Sequence, residues 1–230
     1  MIKKLLIFLL TSIVLIYFIF PFVFKSLYIT KLNSESQIYE SSLGPIEYKI
    51  RGNNGPVVLI AHGTPGGHDQ TISHTSSYRV LTPSRPGYLR TPLSVGNTSL
   101  EQAVAFKELL DGLNVEKVIV AGISGGGPSS MEFAAAFPER TLGLIALEAV
   151  SFSENLSDED AAGLEFSDRD TMFSLLSLHL FDDKTIAEYL LPNKNNQDRV
   201  LADPKKIQSL KDLIWTICLL YTSPSPRDRG

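Results

Sequence analysis

The sequence predicts an α/β protein built on a mostly parallel sheet. Strand-length apolar runs alternate with helix-spaced segments from Ile46 to Leu147, and two glycine-rich turns follow directly on such runs. The second of these turns leads straight into a helical pattern. Strands alternating with helices imply βαβ units with right-handed crossovers, and so parallel strands with helices on both faces.

Ile46–Ile50 alternates apolar and polar residues, as a half-buried strand does. Gly52–Gly55 is a turn cluster. Val57–Ala61 is continuously apolar, which suits a strand covered on both faces. Tyr78–Leu81 reads as the next strand, ended by Pro83. Thr98-Ser99-Leu100-Glu101 is a capping box, because the hydroxyl and the carboxylate can each satisfy an orphan helix N–H. Behind it Leu100, Ala103, Val104, Phe106, Leu109, Leu110 and Leu113 form an apolar helical face. Lys117–Ala121 is a strand, Pro128–Phe137 a helix rich in small residues, and Leu142–Leu147 a closing strand. After Ser151 the spacing of Asp168–Leu180, Lys184–Leu191 and Pro204–Ile217 is helical, which predicts a helical insertion over the sheet edge.

The two ends differ from this middle. Leu5–Phe24 is an apolar run broken only by Thr11, Ser12 and Pro21 and preceded by Lys3 and Lys4. Its twenty residues would span roughly 30 Å as a helix, the thickness of a bilayer's hydrocarbon core. A cleaved signal peptide usually has a shorter apolar stretch and small residues at its cleavage site, whereas this run ends Phe22-Val23-Phe24-Lys25. Tyr17, Phe18, Phe22, Phe24 and Tyr28 resemble an interfacial aromatic belt. Residues 1–29 are therefore expected to be a single-pass membrane anchor with a cytoplasmic N-terminus, which would put the remaining chain outside the cytoplasm. At the other end, Cys218 to Asp228 resembles the in-frame translation of a transposon-end sequencing adapter. Residues 218–230 are expected to be a non-native tail, the alternative being a natural disordered Ser/Pro tail. Between the ends the expected division is the N-terminal part of the α/β core over 30–150 and the start of a helical cap over 151–217.

The net charge of −4 and the lack of a basic stripe argue against a nucleic-acid partner. No metal-ligand cluster stands out, and no cofactor is implied. The single cysteine, Cys218, cannot form an internal disulfide.

Gly122-Ile123-Ser124-Gly125-Gly126 carries the strongest chemical signal, because it lies between a strand and a helix. A serine is a weak nucleophile until a base takes its proton, and a sharp strand-to-helix turn lifts its hydroxyl towards that base. Gly122 and Gly126 answer the crowding of such a turn because they lack a Cβ. Acyl transfer also needs donors aimed at the oxyanion, one being the N–H after the nucleophile, that of Gly125. The second would come from His62-Gly63-Thr64-Pro65-Gly66-Gly67, which follows the buried strand directly. Pro65 has no N–H, so Thr64 is the expected donor and Gly66 the reserve. His62 is expected to brace this loop rather than to react.

Gly44–Gly67, Thr82–Thr91 and Gly122–Arg140 together resemble the α/β-hydrolase superfamily, in the branch near proline iminopeptidases and small esterases. The resemblance covers about Ile46–Val150. It implies that Arg85 lies in the loop after the fourth strand and that Ser151–Ile217 begins a cap domain. A serine at the turn speaks against the branches that use aspartate there, the haloalkane dehalogenases and epoxide hydrolases. The chain departs from the pattern in its triad, whose order in this fold is Ser, then Asp or Glu, then His. Of His62, His68, His74 and His179 only His179 follows Ser124, and it sits among leucines in a helical pattern with no strand before it. The catalytic histidine is thus expected to be missing, leaving the fold incomplete at its C-terminus. Glu148, just after Leu142–Leu147, is a candidate acid, although the family more often uses a later aspartate. His68 and Asp69 are candidate substrate contacts near the mouth.

The expected activity is a serine hydrolase acting on a small acyl substrate, an ester, an amide or a related bond, through an acyl-enzyme. The alternatives are a non-catalytic membrane-tethered binding module and a non-hydrolytic, lyase-type enzyme on the same fold.

Overall fold

The computed structural model of the protein describes residues 12, 19, 23, 26, 27, 29–64, 66–71, 77–151, 181–191 and 193–211. The chain forms two compact units, one containing residues 35–166 and the other residues 1–34 with 167–222.

The first unit holds a six-stranded sheet in the order β1-β2-β4-β3-β5-β6. Its strands are β1 (Gln37–Ser41), β2 (Gly44–Arg51), β3 (Val57–Ala61), β4 (Arg79–Pro83), β5 (Val118–Ile123) and β6 (Thr141–Leu147). β1 and β2 form an antiparallel hairpin with Tyr39 opposite Ile46, and β2 pairs antiparallel with β4. β3 pairs parallel with both β4 and β5, and β5 parallel with β6. β2 alone therefore runs against the other five strands. A hairpin needs only a short turn, but parallel neighbours need crossovers. Helix α1 (Ser99–Gly112) supplies the one from β4 to β5, and α2 (Gly127–Ala136) the one from β5 to β6.

β3 is buried at every residue because it runs between β4 and β5. Val57, Leu59 and Ala61 face Phe106, Leu109 and Leu110 of α1 and Phe133 of α2 in one cluster. Val58 and Ile60 join Val80 and Ala121 in a second cluster. Burying each of the valine, leucine, isoleucine and phenylalanine side chains contributes about 1.5–3 kcal/mol, and β3 contributes to both clusters. Among the described residues of this unit α1 and α2 share one face, so the expected helices on both faces appear there on one face only.

Several expectations are corrected. β1 was not expected, nor was the helical state of residues 29–35. β4 runs to Pro83 itself, opposite Tyr48, two residues beyond Leu81, and ends there. The capping box of α1 forms as expected, Thr98 Oγ1 accepting from Glu101 N–H at 3.2 Å and Glu101 Oε2 from Thr98 N–H at 2.8 Å. Its buried face instead holds Gln102, Ala103, Ala105, Phe106, Leu109 and Leu110, while Leu100 is exposed. At 3.6 residues per turn Leu100 falls on roughly the opposite side from this group.

In the second unit α3 (Asp183–Leu190) is capped by Asp182, whose carboxylate accepts from Thr185 N–H at 2.8 Å. Helix α4 (Lys194–Leu201), unexpected in its asparagine-rich sequence, starts at Asn193, whose Oδ1 accepts from Asn195 N–H. Residues 204–211 are helical, and Lys211 pairs with Asp183 of α3. No helix among the described residues is long and apolar enough to cross a membrane. Most of the apolar run Leu5–Phe24 lies outside those residues, as do His74, His179 and the tail from Cys218.

Candidate active site

β5 runs two residues further than the sequence suggested, so the strand delivers its chain directly to Ser124. Ser124 has φ +47°, the left-handed region that a residue with a Cβ adopts only under constraint. The 3₁₀ turn Ser124–Gly126 then leads into α2. The Ser124 carbonyl accepts from Val150 N–H at 2.9 Å, just beyond the end of β6. A Cβ on Gly122 would collide with Ser130 Oγ, and one on Gly126 with the Ala61 carbonyl at the end of β3. The missing side chains thus let the turn close on itself and on the neighbouring loop.

That loop is His62–Gly67. A Cβ on Gly63 would sit 3.2 Å from Ser124 Cβ, so the loop and the serine are packed together. The Gly63 N–H is already used, donating to Gln70 Oε1 at 2.9 Å. The next N–H is that of Thr64, and among the described residues it has no acceptor. Gly125 stands in the first turn after the strand, where N–H groups lack intrahelical acceptors.

His62 lies beneath this loop, fully buried. Its Nε2 accepts from Arg85 N–H at 2.8 Å, which assigns the ring hydrogen to Nδ1, 2.7 Å from the Gly63 carbonyl. Burial and the nearby Arg85 charge hold its pKa well below the usual histidine value, against the Gly63 carbonyl, which raises it. A neutral ring with both nitrogens committed is a brace, as the sequence suggested.

Arg85 and Tyr88 are brought together by a turn whose geometry is legible in Arg85-Pro86-Gly87-Tyr88. Tyr88 N–H donates to the Arg85 carbonyl at 3.0 Å, and Gly87 has φ +90°. Pro at the second position and a left-handed Gly at the third make this a type II turn. Arg85 Nη2 donates to Thr64 Oγ1 at 3.0 Å and to Tyr88 Oη at 3.3 Å, and the two hydroxyl oxygens lie 2.9 Å apart. The Tyr88 ring meets the His62 ring edge-on, at 4.9 Å between centroids. Tyr88 was missed in the sequence, where Arg85 stood out only by resemblance.

A second polar cluster supports the loop's far end. Glu47 on β2 is fully buried and accepts from Ser36 Oγ at 2.7 Å, Ser84 Oγ at 2.9 Å, Arg90 Nε at 2.8 Å and Arg90 N–H at 3.1 Å. Burial pushes its pKa up, but the Ser36 and Arg90 hydrogen bonds outweigh this and hold it below the ordinary carboxylate value. His68 Nε2 lies 3.8 Å from Glu47 Oε1, and its backbone N–H donates to Ser84 Oγ. His68 is wholly buried, so its expected place at the mouth is corrected: it packs under the loop, where burial lowers its pKa against the pull of Glu47 and Asp69. Asp69 is half-buried, with Gly67 packed close to its carboxylate. Neither Glu47 nor Arg90 was singled out in the sequence, since a lone strand glutamate carries no local signal.

Glu148 directly follows β6, exposed and with φ +46°. No hydrogen bond or ion pair joins it to a histidine among the described residues. No group of three His, Cys, Asp or Glu side chains among those residues could hold a metal ion.

Against known proteins, residues 56–181 match the model of the alpha/beta hydrolase fold family. A Bacillus subtilis (strain 168) protein named "Uncharacterized hydrolase YcgS" is 35% identical over 121 residues, 51% of this chain and 42% of its own length. The 2-hydroxy-6-oxo-6-phenylhexa-2,4-dienoate hydrolase of Burkholderia cepacia is 25% identical over 160 residues, 62% of this chain and 56% of its own. The chain thus spans about half the length of the curated relatives it matches. Among solved structures, an alpha/beta hydrolase fold protein from Nakamurella multipartita superposes with a TM-score of 0.66 at 27% identity, over 84% of this chain and 73% of that one. With more than half of its residues inside the family match, and with the serine turn and the glycine loop joined at the end of a largely parallel sheet, the chain belongs to the alpha/beta hydrolase fold family.

Proposed function

We propose that the natural protein is a serine hydrolase that cleaves an ester, amide or similar acyl bond through an acyl-enzyme at Ser124. The observation that carries this reading is the left-handed Ser124 on a strand-to-helix turn with the His62–Gly67 loop packed against it. In the proposed cycle a histidine base takes the Ser124 hydroxyl proton as Oγ bonds to the substrate's carbonyl carbon. The carbonyl electron pair moves onto oxygen, where the Gly125 and Thr64 N–H groups receive it. The oxyanion collapses, the leaving group departs with the proton from the histidine, and water repeats the sequence to free the acid. His62 cannot be the base, since both its nitrogens are committed below the loop, and His68 is sealed beside Glu47. We assign the base, and with it the acid, to a part of the natural protein following residue 217, with residues 218–230 as a non-native tail. By its motifs the chain resembles the branch near proline iminopeptidases and small esterases. Residues 1–29 are proposed to anchor the enzyme in a membrane, its hydrolase unit outside the cytoplasm.

The gene product carrying the complete triad should hydrolyse p-nitrophenyl acetate and bind a fluorophosphonate probe covalently at Ser124. Ser124→Ala should abolish both. A Ser124→Ala protein that keeps its esterase activity would falsify the mechanism, and a wild-type protein labelled at another residue would move the nucleophile elsewhere.

A further inference from the structure

The Thr64 side chain has a role that the backbone mechanism leaves unused. Its Oγ1 accepts from Arg85 Nη2 at 3.0 Å and lies 2.9 Å from Tyr88 Oη. The bond between the two hydroxyls can run either way; with the more acidic phenol of Tyr88 as the donor, Thr64 accepts. Both lone pairs of the Thr64 oxygen are then filled, and its hydrogen is the one capacity left. That hydrogen has a specific place to go. A Cβ on Gly125 would lie 2.7 Å from Thr64 Oγ1 and 3.5 Å from Arg85 Nη2. The hydroxyl therefore rests against the residue whose N–H opens the oxyanion site. Thr64 is also exposed, while Tyr88 and Arg85 behind it are buried.

We propose that the Thr64 hydroxyl is a third oxyanion donor, beside the Gly125 and Thr64 N–H groups, with Arg85 and Tyr88 as positioning residues that fill its lone pairs and polarise its O–H. Accepting from a guanidinium makes a hydroxyl a better donor, because the two hydrogen bonds polarise one another in the same direction. The arrangement is set before substrate arrives, which is what makes such a donor effective when charge develops. The type II turn fixes Arg85 beside Tyr88, and the Tyr88 ring is held edge-on by His62. The acyl substrate's carbonyl oxygen would thus meet one side-chain and two backbone donors. This inference rests on the serine-hydrolase reading.

The test uses the gene product with its complete triad, p-nitrophenyl acetate as substrate and a short-chain trifluoromethyl ketone as the probe of the oxyanion site. Thr64→Val removes the hydroxyl but keeps the N–H and the shape. It should lower kcat by about 10²-fold, the loss typical for one oxyanion donor, with little change in KM. The inhibition constant of the ketone should rise by the same factor, since its adduct with Ser124 carries the oxyanion. Thr64→Ser keeps the hydroxyl and should stay nearer the parent than Thr64→Val in both measurements. Tyr88→Phe, which keeps the ring against His62, should move kcat and ketone affinity in the same direction as Thr64→Val by a smaller factor. Activity of the parent that vanishes in Ser124→Ala establishes the reading on which the inference stands. With that in place, an unchanged kcat in Thr64→Val, equal losses in Thr64→Val and Thr64→Ser, or a loss confined to KM would each overturn the inference. A parent that never acylates Ser124 would sink the reading itself.

Discussion

Replacing Glu47 by glutamine tests whether one buried carboxylate ties the sheet to the loop that faces Ser124. Glu47 accepts four hydrogen bonds, two at each oxygen: Ser36 Oγ and Arg90 Nε at Oε1, Ser84 Oγ and Arg90 N–H at Oε2. Glutamine keeps the size but turns one oxygen into a donor, so in either orientation two of the four donors meet an N–H₂ group. Arg90 also loses its counter-charge. Removing one partner of a buried ion pair costs about 3–5 kcal/mol. The Arg90 side chain is 35% exposed, so water recovers part of its solvation and the lower end applies, about 3 kcal/mol. For a domain of this size that corresponds to a drop in Tm of roughly 6–12 °C. Urea unfolding followed by circular dichroism should show a lower midpoint with an unchanged slope, the mark of lost stability rather than altered compactness. A change below about 0.5 kcal/mol, the range of ordinary surface substitutions, would refute the view of Glu47 as a structural hub.

Three further outcomes follow from the same structure. Thr98→Ala should cost about 1 kcal/mol by removing the acceptor for Glu101 N–H, read from the same urea titration; an unchanged midpoint would deny the cap its role. Burial holds His62 and His68 below the ordinary histidine value of 6.5, so their neutral forms contribute stability that is full above pH 6.5. As pH falls below 6.5 the unfolded chain takes protons first, and Tm should decline; Glu47, held below 4.5, adds a second loss below that pH, and a flat Tm between pH 7 and 5 would contradict the histidine part. β6 pairs only with β5 among the described residues and exposes Leu142, Leu144, Ile145 and Leu147, so the 230-residue chain should self-associate. Leu144→Lys should reduce its light scattering at equal concentration, and equal scattering would place the association elsewhere.

What was legible in the sequence was whatever depends on neighbours along the chain. The run Val57–Ala61 declared a strand covered on both faces because a central parallel strand has no polar side. The capping box of α1 was readable because both of its hydrogen bonds close within a single turn. The type II turn at Arg85–Tyr88 has its own signature in the Pro-Gly pair, yet nothing in that pair says that the turn carries a cation to Thr64. β1 was missed because its alternation is short and its residues are partly polar, and only pairing with β2 makes it a strand. Glu47 was missed for a stronger reason. Its four donors, on three residues, lie 11 to 43 residues away, and a carboxylate's burial is decided by those distant donors.

The two glycine motifs are best understood as one feature written twice. A Cβ on Gly63 would press on Ser124, one on Gly125 would press on Thr64, and one on Gly126 would strike the Ala61 carbonyl. Each motif thus leaves out the side chains that would push the other away, so β3 and β5, paired directly in the sheet, can end with their backbones in contact. On the proposed mechanism that closeness is what lets the Gly125 and Thr64 N–H groups serve one oxyanion, which neither loop could do alone. It also explains why the positions between the glycines differ in kind. Ser124 packs its Cβ against the bare face of Gly63, and Thr64 places its hydroxyl where Gly125 has no Cβ. His62 and Arg85, by contrast, fill the volume beneath, and their mutual hydrogen bond holds the floor of the site at a fixed height. A substitution at Gly63 or Gly126 should therefore damage the site by separating the two strand ends, even though neither residue offers a functional group of its own.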